Sequence, residues 1–150
     1  IGASQIARDG NKMSLLLENF NKIQTFLYQA NGDKALVRAQ SRYCKPGYSV
    51  NDRYHALNLT TLPRTVEFRL WRPANFIQSR PGEADTQAIA VISLSAALVL
   101  TAIRGKRLIG NTRKEIMREL FEEQDYRIVD DDEIWDVLLH VSHQHKVSTI

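Results

Sequence analysis

Glu67 and Arg69 stand two residues apart in the segment Thr65–Trp71. Read as a strand, the segment sets Thr65, Glu67, Arg69 and Trp71 against Val66, Phe68 and Leu70. Side chains two apart on a strand point the same way, so Glu67 and Arg69 share a face while the apolar set turns to the core. A carboxylate beside a guanidinium can hold a divalent cation and a phosphoryl group together. The cation binds through carboxylate oxygens, and the arginine clamps phosphoryl oxygens. The same pair also makes a solvated ion pair worth little. For a bare Glu-x-Arg on a strand, that is the commoner outcome.

The preceding segment, Tyr54–Leu59, alternates in the same way: Tyr54, Ala56 and Asn58 against His55, Leu57 and Leu59. Thr60–Arg64, with Pro63, is a tight connection, so the two strands are expected to pair antiparallel. Asn58 then sits on a face opposing Glu67. His55 faces away from it, as a packing or exposed residue.

The whole stretch Asp52–Trp71 resembles the signature of the amidoligase family, in which Arg-Tyr-x-Ala-Leu-Asn-Leu-Thr is succeeded by a short turn and Thr-Val-Glu-Phe-Arg-Leu-Phe. Here these read Arg53-Tyr54-His55-Ala56-Leu57-Asn58-Leu59-Thr60 and Thr65-Val66-Glu67-Phe68-Arg69-Leu70-Trp71. Tyr43-Cys44-Lys45-Pro46 is similar to the family's Tyr-x-Lys-Pro stretch, and Ile1-Gly2-Ala3-Ser4 to the residues just after its His-x-His strand. The resemblance covers about residues 1–105, tightly over 52–71 and loosely elsewhere.

That family belongs with glutamine synthetase and glutamate–cysteine ligase among the carboxylate–amine ligases. The resemblance implies ATP-dependent amide formation through an acyl phosphate, with Mg2+ bridging the phosphates on an antiparallel sheet. It implies Glu67 as magnesium ligand, Arg69 on the transferring phosphoryl or the substrate carboxylate, and Arg53 on ATP phosphates, with Asn58 a further nucleotide contact. Substrates would be small-molecule or peptide carboxylates and amines. The sequence starts near the residue after the family's His-x-His strand and lacks its upstream acidic ligand. The expectation is therefore the C-terminal part of such an enzyme, competent only when the other half-site is supplied by a preceding segment or a partner. The alternative is a non-catalytic binding or structural module on a degenerate ligase scaffold.

Other chemistry-bearing residues form weaker patterns. His140, His143 and His145 cluster near the end without a third ligand fixed by spacing. Asp130–Asp132 and Glu133 lack the spaced oxygens and central glycine of a calcium loop. They suit a helix N-terminus. Cys44, beside Lys45 and Arg42, could be activated as a thiolate but has no histidine fixed beside it. Gly105 and Gly110 lack the spacing of a phosphate loop.

These residues need a scaffold, and 150 residues with 43% hydrophobic and 25% charged suit one domain. A single cysteine excludes an intrachain disulfide. A first helix is expected over about Asn11–Ala30, with Leu16, Phe20, Ile23 and Leu27 on one face. A short helix is expected over Lys34–Arg42, a loop over Lys45–Ser49 and another over Arg72–Gly82. An apolar helix should span about Glu83–Ile103. Its 16 uncharged residues from Ala88 fall short of the roughly 20 that cross a bilayer, so it reads as buried. Arg104, Lys106 and Arg107 come next as cations at its C-terminus.

A charged helix capped by Asn111 or Thr112 is expected over about Arg113–Gln124, with Ile116, Leu120 and Phe121 inside. A last helix is expected over about Glu133–His143. Ile1–Ala3 reads as the tail of a strand, and Trp71 and Trp135 as core or interface aromatics. The class is α+β: a small antiparallel sheet with packed helices, a helical extension over 106–150, and a likeness to the C-terminal half of a glutamine synthetase-like domain. The first half of the chain carries a balance of +6 and the second −3. The cations form no groove-tracking stripe, so a nucleic-acid partner is not expected. The reading carries no membrane span and a cytoplasmic location.

Overall fold

The computed structural model describes residues 2–29, 40–71 and 83–121. Among these residues the fold is α+β, with four helices and a three-stranded mixed sheet. The expected helices over 34–39 and 133–143, the loop over 72–82, the C-terminal histidines, Asp130–Asp132 and Trp135 lie outside the described residues.

Helix α1 covers Ala3–Arg8 and α2 covers Gly10–Gln29. Of the strand tail expected over Ile1–Ala3, Gly2 and Ala3 form a helix start instead, and Ile1 lies outside the described residues. Gly2, at φ 73°, takes the left-handed conformation that only glycine reaches cheaply, and it turns the chain into α1. Asp9 separates the two helices and caps the second, its Oδ1 accepting the Asn11 N–H at 2.9 Å. Leu16, Phe20, Ile23 and Leu27 of α2 are all buried, as their spacing predicts.

Helix α3 covers Glu83–Ile103 and packs against α2, with α1 against both. It buries Ala90, Leu94, Ala97, Leu98 and Ala102, leaving Ile92 exposed. No helix among the described residues is long and apolar enough to cross a membrane. Gly105, at φ 75°, ends α3: its N–H bonds the Ala102 carbonyl, and the Lys106 N–H bonds that of Thr101. Helix α4 covers Arg113–Phe121 and buries Ile116, Met117, Leu120 and Phe121.

The sheet departs from the antiparallel expectation. Strand β1 covers Lys45–Ser49, β2 His55–Asn58 and β3 Glu67–Phe68, in the order β1-β2-β3. Strands β2 and β3 pair antiparallel as expected, Leu57 with Phe68 and Asn58 with Glu67. The segment read as a loop is a strand that pairs parallel to β2. Pro46 and Gly47 do not abolish it. They irregularise it: the register shifts between Lys45 and Tyr48, and Gly47 sits at φ 87°.

Parallel neighbours normally need a crossover of a dozen residues or more. Here residues 50–54 suffice, because side chains hold the return. Ser49 Oγ accepts the Asn51 and Asp52 N–H groups at 3.1 and 3.0 Å, and Asp52 Oδ1 accepts that of Tyr54 at 2.9 Å. Ser41 and Arg42, expected at a helix end, belong instead to a turn in which Ser41 and Cys44 exchange backbone hydrogen bonds. As the middle strand, β2 is buried from Ala56 through Asn58. Phe68 of β3 meets Phe20 of α2 with ring centroids 6.1 Å apart, which seats the sheet on the helical layer.

Candidate functional site

The β2–β3 ladder brings Asn58 and Glu67 face to face. Asn58 is buried, and its amide orientation is fixed by chemistry: Oδ1 accepts the Thr60 N–H at 3.0 Å, so Nδ2 turns to Glu67 Oε2 at 3.2 Å. The other carboxylate oxygen, Oε1, accepts from Arg69 Nη1 at 3.4 Å. The Glu67 side chain stays 46% exposed while that of Arg69 is 21% exposed. The carboxylate is thus held from two sides and open to solvent on the rest.

Arg69 is fixed more deeply. Its N–H bonds the Ala56 carbonyl at 2.7 Å, and its own carbonyl lies 3.7 Å from Cys44 Sγ. Its Nε–H is buried and has no acceptor among the described residues. An orphaned buried donor costs free energy, and in native structures it marks a site that something else completes or a store of strain. Cys44 is fully buried beneath this strand, so it supports Arg69 rather than meeting a substrate as a nucleophile.

Tyr54 links the cluster to Arg53. The Arg53 guanidinium lies 4.9 Å from the Tyr54 ring centroid and donates to its hydroxyl at 2.8 Å, and the Arg69 guanidinium lies 5.6 Å from the same ring. The Arg53 pKa is raised, first by the Tyr54 hydrogen bond and further by the charge of Glu67. Contacts through Tyr54 and Glu67 thus link Arg53, Asn58 and Arg69 along the hairpin.

Tyr54 itself was legible as a member of the Asn58 face, but its contacts with two arginines were not. A second ionic cluster locks the link that carries Arg53. Lys45 Nζ lies 2.8 Å from Asp52 Oδ2, with His55 Nδ1 at 3.5 Å. The Asp52 pKa is lowered, chiefly by the Lys45 bond and then by the Tyr54 N–H. His55 faces Asp52, away from Glu67, as its alternation predicts.

Among the described residues no three histidine, cysteine, aspartate or glutamate side chains converge as a metal cluster. The local donor set is one open carboxylate beside two guanidinium groups. That composition fits a magnesium–nucleotide pair, in which the ion keeps waters and phosphate oxygens and takes only one or two carboxylates. It does not fit an all-protein metal cage. A cavity of about 540 Å3 opens elsewhere, at α1 and the β2–β3 turn, lined by Arg8, Met13, Leu62, Pro63 and Arg64 but by none of the expected site residues.

No family model matches the chain, and neither a curated protein nor a solved structure does.

Proposed function

We propose that this chain is the C-terminal part of an ATP-dependent amidoligase-like enzyme, and that its nucleotide site is built on the β2–β3 hairpin. The observation that carries the reading is the Glu67 carboxylate, gripped by Asn58 and Arg69 yet open to solvent. Glu67 is the magnesium ligand. Asn58 aims the Glu67 carboxylate through one Nδ2 hydrogen, and its second Nδ2 hydrogen is the further nucleotide contact. Arg69 meets the transferring phosphoryl oxygens or the substrate carboxylate, and Arg53 binds the outer ATP phosphates.

Magnesium bound with ATP would neutralise phosphate charge and favour phosphoryl transfer to a carboxylate. The chain's own contribution is to fix the two arginines before anything binds. Tyr54 stacks both, which lowers the ordering cost of gripping an oxyanion. The resemblance of residues 52–71 to the amidoligase signature supports the same reading.

Titrating ATP into the intact chain, with and without Mg2+, tests it. Binding at millimolar nucleotide or tighter, dependent on Mg2+ and lost in Glu67→Gln, is expected. A wild-type chain that binds no Mg·ATP, or a Glu67→Gln chain that binds it equally well, overturns the assignment. Either result would favour a non-catalytic module on the same scaffold.

A further inference from the structure

The arginine–tyrosine arrangement at the candidate site is duplicated beside it. Arg42 stacks on Tyr43 with its guanidinium 4.8 Å from the ring centroid and donates to the Tyr43 hydroxyl at 2.7 Å. Arg53 treats Tyr54 in the same way, at 4.9 and 2.8 Å. The two rings meet edge to face, 5.9 Å apart at an interplanar angle of 79°. Two equivalent units therefore stand side by side, with Arg69 and Glu67 at the inner end of the row.

In each unit the guanidinium plane is fixed by stacking and by one hydrogen bond, and its remaining N–H groups have no partner among the described residues. A guanidinium so fixed is prepared for bidentate pairing with an oxyanion. The nearby acidic groups make their ion pairs elsewhere, Asp52 with Lys45 and Glu67 with Arg69, so neither is in ion-pair contact with Arg42 or Arg53. Arg42 and Arg53 are exposed, and Tyr43 is 50% exposed.

We propose that this row is a docking track for an extended acidic peptide segment, with Arg42 taking one carboxylate and Arg53 a second only while it holds no nucleotide phosphate. The row presents two exposed guanidinium groups on adjoining tyrosines, and an extended segment with carboxylates on alternate residues, roughly 7 Å apart, supplies oxyanions in series along it. A single-stranded nucleic acid fits less well. It needs free aromatic faces for its bases, whereas Tyr43 carries one guanidinium and Tyr54 two. The proposal rests on the ligase reading for the use made of the segment, a carboxylate delivered beside Glu67, and not for the binding itself.

The test is fluorescence anisotropy of a labelled peptide of alternating glutamate and threonine, at low salt, without nucleotide or Mg2+. Its arms are the matching glutamine–threonine peptide and an oligouridylate. The acidic peptide is expected to bind, to weaken as salt rises, and to lose at least about fivefold in affinity in both Arg42→Gln and Arg42→Lys. Lysine keeps the charge but not the stacked fork. Arg42 is exposed, and circular dichroism checks that both variants remain folded. Equal binding of the glutamine peptide, tighter binding of oligouridylate, or wild-type affinity in Arg42→Lys would each overturn the proposal. With nucleotide and metal left out, this result stands or falls separately from that at Glu67.

Discussion

Two polar clusters of this molecule use similar residues to opposite ends. One lies where α2 meets the chain after α3. The buried Asn19 donates through Nδ2 to the Lys106 carbonyl at 3.0 Å and accepts the Leu108 N–H on Oδ1 at 2.9 Å. Arg107 pairs with Glu18 at 2.6 Å, and Lys22 reaches the Leu108 carbonyl at 3.3 Å. Glu119 accepts the Ile109 and Gly110 N–H groups, each at 3.0 Å. Glu115 Oε2 accepts those of Asn111 and Thr112 while Thr112 Oγ1 accepts that of Glu115, a reciprocal cap on α4. The polar groups named here answer one another, and the network fixes a turn.

The other cluster is the β2–β3 site. There an asparagine again reads a neighbour through a fixed amide, but a carboxylate is left open and a buried Nε–H has no acceptor among the described residues. Satisfied networks are structural, and incomplete ones invite a ligand. The comparison predicts that substitutions in the first cluster cost stability, whereas those in the second cost binding.

The largest stability effect is expected at Asn19. Asn19→Ala strands the buried Leu108 N–H and should lower unfolding free energy by about 2–3 kcal/mol in a denaturant titration. A loss no larger than that of a surface substitution would break the comparison. Gly110→Ala comes next. An added Cβ would stand 2.7 Å from Glu115 Cβ and 3.1 Å from the Ile116 nitrogen, so a loss of about 1–3 kcal/mol is expected. Thr112→Ala removes the helix cap and should cost about 1 kcal/mol, read from the same titration. Glu67→Gln should change stability by no more than about 0.5 kcal/mol, since the pair it breaks is exposed.

A pH effect sharpens the first cluster further. The Glu115 pKa is lowered, first by the Asn111 and then by the Thr112 N–H. A carboxylate whose folded pKa is depressed adds stability that is fully present above its unfolded value and fades as pH falls through the folded one. Glu115 is exposed, so the contribution is small. Glu115→Gln should flatten the acid limb of a melting-temperature profile below about pH 4.5 and leave the neutral region with the same slope.

The helices were legible because their information is periodic. Leu16, Phe20, Ile23 and Leu27 mark one face of α2, and the unbroken apolar run marks α3 as buried. The placing of Asn58 opposite Glu67 was legible too, since period-two alternation and a short turn fix a hairpin's register. Strand β1 was not. Pro46 and Gly47 are ordinarily breakers, and a parallel neighbour reached through residues 50–54 depends on Ser49 and Asp52 capping the return, which no pattern announces. The contacts of Tyr54 with two arginines and the Arg42–Tyr43 unit were missed for a related reason. Each Arg-Tyr pair is visible in the chain, but their juxtaposition needs the parallel pairing. The Asn19 clamp joins residues far apart in sequence and leaves no local trace.

The most direct measurement is the melting temperature of three proteins, wild type, Glu67→Gln and Thr112→Ala, each with and without saturating Mg·ATP. A ligand that binds only the folded state raises that temperature. Thr112→Ala should start lower than wild type yet rise by the same amount, whereas Glu67→Gln should start with wild type and not rise at all. A Glu67→Gln protein that melts well below wild type and gains the full nucleotide shift would contradict the account, placing Glu67 with the structural network rather than in a nucleotide site.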